Sequence, residues 1–168
     1  MNISIRQLTE NDWREFSQIR LKALQKDPSV FGSNYEKESL MPEAEWRNRL
    51  QAKDNAIFLI YEDETPIGMT CISIDRDDPT RKTALLWGSW LAPDFRCKGL
   101  SELMYRTRIN WAKNQPTVEK IIVSHRASNV ASKYANQKHG FVLTHKTEKV
   151  WTDGATEDEI FYELRVKS

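Results

Sequence analysis

The sequence predicts an α/β protein, a mixed β-sheet of about seven strands with helices on both faces. Two features carry that reading. Apolar runs and helical stripes alternate in the order β-α-α-β-β-β-α-β-α-β-β. Three consecutive strands in the middle favour antiparallel pairing, whereas the strand–helix–strand unit across residues 99–114 needs a crossover and a parallel pair.

Each element has a local cause. Ile3 and Ile5 share one face of a first strand over residues 2–7. Thr9 offers an N-cap with Asp12 three residues on, the spacing of a capping box. Trp13, Phe16, Ala23 and Leu24 then form one helical stripe, which Asp27-Pro28 ends. Residues 29–41 read as irregular, but Phe31, Asn34, Tyr35, Glu36 and Glu38 are side chains suited to recognition. Pro42 suits the first turn of a second helix, in which Trp46 and Leu50 fall four apart. Residues 56–61 and 67–74 are apolar strands around a hairpin turn. An acidic loop over 75–79 leads to a strand over 83–91, where Trp87 and Trp90, three apart, are expected to face opposite sides. Leu100, Leu103, Met104, Thr107 and Trp111 give the helix after Gly99 one buried face. Ile121, Ile122 and Val123 run unbroken, as in a strand covered on both faces. A short helix over 129–139 stops at Gly140, and residues 141–151 and 159–165 are the last two strands.

Nothing in the chain reads as a linker or a repeat, so residues 1–168 are expected to form one domain. A chain of this size buries roughly 70% of its unfolded surface and needs no metal or disulfide staple. Lys+Arg number 25 against 24 Asp+Glu, which lacks the basic excess of a general nucleic-acid binder. No stretch approaches the ~20 apolar residues of a membrane span, and the N-terminus has no signal-peptide core. Cys71 and Cys97 form no framework and fit a reducing, cytoplasmic setting. His125, His139 and His145 have no metal spacing, so no metal is expected.

The stretch richest in chemistry is Ala92-Pro93-Asp94-Phe95-Arg96-Cys97-Lys98-Gly99-Leu100-Ser101, which joins a buried strand to an amphipathic helix. A helix N-terminus exposes unpaired N–H groups and the positive end of its dipole. Gly99 lets a ligand approach the backbone, Ser101 is small, and Arg96 and Lys98 add two cations. Together they describe a site for a phosphate or pyrophosphate. Neither a P-loop nor a dinucleotide fingerprint is present.

With Trp111-Ala112, Asn129 and Lys138-His139-Gly140-Phe141, this stretch resembles the GCN5-related N-acetyltransferase (GNAT) family. The R-x-x-G-x-[G/A] element is matched up to its last place, the N-x-x-[A/S] to K-x-G-F close is matched throughout, and Phe31-Gly32-Ser33 with Trp46 is similar to one bacterial branch. The resemblance covers nearly the whole chain and implies a single N-acetyltransferase domain that uses acetyl-CoA as co-substrate. It implies transfer to a primary amine of a small molecule or peptide by direct attack on the thioester. Amides from Arg96 through Cys97, Lys98, Gly99 and Leu100 to Ser101 would then cradle the pyrophosphate. Leu91 and Ala92 would pair with the pantetheine arm, with Asn129 and Ser132 beside it. Phe31, Tyr35 and Trp87 would line the acceptor side.

There are two departures. The last small residue of the loop is Ser101, and the family's usual tyrosine falls at Asn136, which becomes the catalytic candidate. Asn136 can donate a hydrogen bond to sulfur but cannot supply a proton at neutral pH. Tyr134 lies two residues away, about 200° around a helix, and cannot replace it. A thiol pKa near about 8.5 leaves the departing group little need of an acid. The strand over 83–91 carries no carboxylate, so the base is either water relayed by carbonyls or a carboxylate such as Glu36, Glu38 or Asp75. Cys97 reads as a spacer rather than a sensitised thiol. A non-catalytic acyl-CoA-binding or sensing domain is the alternative reading. Oligomeric state stays open, with a homodimer through exchange of the last two strands as one option.

Overall fold

The structure, a computed structural model, describes residues 2–167. Seven strands form one sheet: β1 (Ile3–Gln7), β2 (Asn55–Glu62), β3 (Thr65–Ile74), β4 (Thr83–Leu91), β5 (Lys120–Arg126), β6 (Val142–Val150) and β7 (Thr156–Arg165). Their spatial order is β1-β2-β3-β4-β5-β7-β6. Neighbours are antiparallel except β4 and β5, which are parallel. The helix bridging that pair, α4 (Leu100–Lys113), supplies the crossover that the sequence demanded. The other helices are α1 (Trp13–Lys26), α2 (Tyr35–Glu38), α3 (Glu43–Gln51) and α5 (Val130–Lys138).

The helices cover both faces. On one, Phe16, Ala23 and Leu24 of α1 and Trp46 of α3 pack on Leu59, Met69 and Cys71. On the other, Tyr105 and Ala112 of α4 and Phe141 pack on Ile72, Ile121 and Tyr162. β2 feeds both cores, which is why residues 56–61 are apolar without alternation.

Several local expectations change. Residues 29–41 are not wholly irregular, because the Asn34 side chain accepts from the Lys37 N–H at 2.8 Å and caps the single turn of α2. Four residues are too few to show helical periodicity in a sequence. Pro42 stands at the cap of α3 rather than inside its first turn. The buried face of α4 is Met104, Tyr105, Arg108 and Ala112, turned from the expected stripe, and it contains an arginine. β5 and β7 run longer than expected.

The change that shapes the site is in β4. Trp87 pairs with Cys71 and Trp90 with Met69, so two residues, Gly88 and Ser89, stand opposite Thr70. Gly88 takes φ +66° there. The bulge inserts one residue into the period of two, so Trp87 and Trp90 pack against the same core rather than facing opposite sides. No helix among the described residues is long and apolar enough to cross a membrane.

Candidate active site

β4 and β5 pair over only three residues, Thr83 to Leu85 against Lys120 to Ile122. Beyond them, β5 stays paired with β7 as far as Arg126, while β4 continues along β3 to Leu91. The parting strands leave a cleft of about 300 Å³. Trp87 and Leu91 line it from β4, Ser124 and His125 from β5, and Asn129, Ser132 and Asn136 from the α5 region.

At its outer end lies the turn into α4. Cys97 and Gly99 have φ values of +61° and +79°. That alternation turns successive amides toward one side of the loop. Among the described residues, the main-chain N–H groups of Cys97, Lys98, Gly99, Leu100 and Ser101 meet no protein acceptor outside regular elements. An added Cβ at Gly99 would project into open space. Lys98 is exposed, with its ammonium 5.6 Å from the Phe95 ring centroid.

Arg96 is placed differently from the expectation of a free cation and a free amide. Its N–H donates to the Pro93 carbonyl at 3.2 Å. Its guanidinium donates to Asp27 Oδ2 at 2.8 Å and to the Leu91 carbonyl at 2.9 Å. It braces the loop against α1 and the end of β4. Ala92 also turns from the cleft: its N–H donates to the Ile67 carbonyl, and its side chain packs on the first core. Cys97 is exposed and Cys71 is buried, where desolvation pushes the Cys71 thiol up to about 12.

At the inner end of the cleft, Asn136 is 1% exposed whereas Tyr134 is 63% exposed, as their angular separation requires. The Tyr105 hydroxyl donates to Asn136 Oδ1 at 2.5 Å. Asn136 Nδ2 is buried without a protein partner. Arg108 lines the same cleft and holds its guanidinium against the Met104 and Cys71 carbonyls. Burial brings its pKa down to about 10, so it stays charged at neutral pH. Neither Tyr105 nor Arg108 stood out in the sequence. A buried arginine on an otherwise apolar helical face was the one available signal. Tyr105→Phe removes one hydrogen bond to a buried acceptor and is expected to lower unfolding free energy by about 1–2 kcal/mol in urea titrations.

Past Trp87 the cleft opens into a second cavity of about 920 Å³ between the sheet and the segment from α1 to α3. Glu38 is held there by Arg20, through Nε and Nη2 at 3.0 Å each, and by Arg49 at 3.1 Å. Burial alone would raise its carboxyl pKa, but the Arg20 hydrogen bonds and charge, with Ser33 and Arg49, hold it below the ordinary value. A carboxylate so committed is a poor base. Glu36 is exposed and lies outside both cavities, while Asp75 lines the second. His125 has both nitrogens engaged, Nδ1 by the Arg126 carbonyl and Nε2 by the Tyr162 hydroxyl. Phe31 and Trp87 line the site, with Arg20 stacked on both rings. Tyr35 does not line it. The capped turn of α2 packs that ring against the first core. Among the described residues no group of His, Cys, Asp and Glu could hold a metal ion.

The acetyltransferase (GNAT) family model matches residues 7–141. The chain belongs to this family. Comparison with curated proteins returned no match. A GNAT acetyltransferase from Streptococcus pneumoniae superimposes with a TM-score of 0.83 at 18% identity, covering 98% of this chain and 99% of that one. The yncA protein of Salmonella typhimurium, solved with its cofactor acetyl-CoA, gives 0.79 at 18% identity, covering 100% and 96%. An N-acetyltransferase from Staphylococcus aureus Mu50 gives 0.77 at 22% identity, covering 99% and 100%. The GNAT fold and acetyltransferase activity thus join the geometry of a forked sheet with an amide-lined turn at its mouth. Acetyl-CoA is the acyl donor of this chemistry, and the orphaned Asn136 amide and the open amides around Gly99 suit such a donor.

Proposed function

We propose that this acetyltransferase, one domain over residues 1–168, moves an acetyl group from acetyl-CoA to a primary amine of a small molecule or peptide. One observation carries the reading: the cleft at the β4–β5 fork is lined at one end by Leu91 and Arg96, next to the open amides of residues 97–101, and shares Leu86, Trp87, Val123 and Ser124 with the larger cavity. The amides of Cys97, Lys98, Gly99, Leu100 and Ser101 bind the diphosphate, aided by the Lys98 charge and the dipole of α4. Leu91, Asn129 and Ser132 bind the arm. Asn129 Oδ1 is spent capping α5 on the Ser132 N–H, which leaves its amide group for the ligand.

Acetyl-CoA supplies an activated thioester whose thiol leaves readily. The chain supplies alignment, worth several kcal/mol when two reactants are held in register. Asn136 lines the inner end of the cleft, fixed by Tyr105 and with Nδ2 buried and unpartnered, and Arg108 adds positive charge to the cleft wall, which favours a leaving thiolate. The amine approaches from the larger cavity, past Phe31 and Trp87. A cytoplasmic setting belongs with this reading, supported by two free cysteines. A homodimer along β6 also belongs with it. Val142, Leu143 and Val150 are exposed on that outer strand. The test is incubation with acetyl-CoA and a panel of amines, amino acids and peptides while free thiol is measured. The reading expects release well above the hydrolysis blank with at least one amine, and release with none contradicts it.

A further inference from the structure

The reaction needs a neutral amine, yet an ammonium of pKa near about 10.4 is almost wholly protonated at neutral pH. β4 offers no carboxylate, and of the three candidates visible in the sequence Glu38 is committed to two arginines, Glu36 lies outside both cavities, and Asp75, whose Oδ1 accepts the Asp77 N–H, lines the larger cavity but not the coenzyme cleft. We infer that the base is Glu159 of β7, acting on the acceptor amine through the hydroxyl of Ser124.

Ser124 sits on β5 two residues past Ile122, the last to pair with β4, so it stands where the fork opens. Like Trp87, it lines the coenzyme cleft, the larger cavity and a third hollow beside them. Its hydroxyl donates to Glu159 Oε2 at 2.5 Å. Glu159 lines both spaces on the acceptor side, and its side chain is 19% exposed. The carboxylate therefore reaches the fork from the far side of β5, across the strand rather than along it. Such placement comes from the β5–β7 pairing, in which Arg126 stands opposite Glu159 and Ser124 opposite Phe161.

Among the described residues one cation reaches Glu159, against the two arginines on Glu38. From β6, Lys149 approaches it at 3.6 Å. From β5, Arg126 is committed to Glu157 and Asp153. His125 points its nitrogens elsewhere. Across the hollow, Arg20 is bound to Glu38. In the larger cavity Arg76, Asp75 and Asp77 occupy the wall formed by the acidic loop.

The step balances without any further reagent. An ammonium N–H gives its proton to Ser124 Oγ as the Ser124 proton passes to Glu159 Oε2. The freed nitrogen pair forms the C–N bond to the acetyl carbon, and the C–S bond breaks with its electrons on sulfur. The surplus nitrogen proton leaves with the thiolate as a thiol. The Glu159 proton returns to solvent.

The inference rests on the acetyl-transfer reading, so its test separates the two. Thiol release is measured from pH 6 to 9.5 for the wild type, Glu159→Gln and Ser124→Ala, with acetyl-CoA affinity determined by calorimetry for each. Glu159→Gln is expected to lose about 100-fold or more in kcat/KM near pH 7. The deficit should shrink as pH rises and free amine becomes abundant, with acetyl-CoA affinity unchanged. Ser124→Ala, which keeps the carboxylate, is expected to show a weaker deficit of the same pH form. A Glu159→Gln profile equal to wild type, or reduced by one constant factor at every pH, overturns the assignment. A Ser124→Ala enzyme indistinguishable from wild type overturns the relay. A wild type that binds acetyl-CoA yet acetylates no amine overturns the transfer reading, and this assignment with it.

Discussion

Replacing Gly99 by glutamate is expected to weaken acetyl-CoA binding by at least about 100-fold. Gly99 has φ +79°, a conformation that costs an L-residue roughly 1–2 kcal/mol, and it opens the turn into α4. An added Cβ meets nothing within 4 Å, so the fold itself should tolerate a side chain there. That open space is where a diphosphate would lie against the amides of residues 97–101. A carboxylate placed there repels it, and like charges near a protein surface at contact separations cost about 4 kcal/mol. Gly99→Ala separates the two effects, since it carries the strain without the charge and should lose far less. Calorimetry with coenzyme A reads the affinities, and thermal melts without ligand confirm that both variants fold. Unchanged affinity in a folded Gly99→Glu protein removes the turn from the account.

The second large effect falls on stability. Glu38 is 2% exposed and is bound by two arginines, one of them, Arg20, also buried. Glu38→Ala strands the Arg20 guanidinium, whose Nη1 already has no partner, and should cost about 3–5 kcal/mol. At roughly 2–4 °C per kcal/mol for a domain of this size, the melting temperature should fall by about 10 °C. The sign of the pH effect follows from the depressed pKa of Glu38. Its stabilisation is present above the unfolded carboxyl value, about 4.3, and is lost as pH falls through the lower folded value. Melts of wild type and Glu38→Gln should therefore differ most at neutral pH and converge under acid conditions. A constant difference over that range would show that the Glu38 carboxyl titrates alike in the folded and unfolded chain, so that Arg20 and Arg49 do not depress it.

Much of this was legible in the sequence because it is local. The apolar runs gave the strands, Pro28 and Gly140 gave boundaries, and the crossover around Gly99 placed the one parallel pair where the fork lies. The turn before α4, with its open amides, was legible because its residues are contiguous. Trp87 and Trp90 were misread because a bulge at Gly88 breaks the period, and nothing short of the β3 register shows it. Tyr35 looked like a recognition residue because a one-turn helix leaves no periodic trace. Arg96 looked free because its partners, Asp27 and the Leu91 carbonyl, lie on other elements. Glu159 was invisible for the same reason. It stands 35 residues from Ser124, and only the entry of β7 beside β5 joins them.

The central claim is that the turn before α4 binds the coenzyme through main-chain hydrogens and directs it into the gap between β4 and β5. A titration of isotope-labelled protein with coenzyme A, followed by amide nitrogen–proton NMR, tests it most directly. The account predicts that the resonances of Cys97, Lys98, Gly99, Leu100 and Ser101 shift most, followed by those lining the fork around Leu91 and Asn129. Saturable shifts confined to other surfaces, with those five amides unmoved, would contradict it.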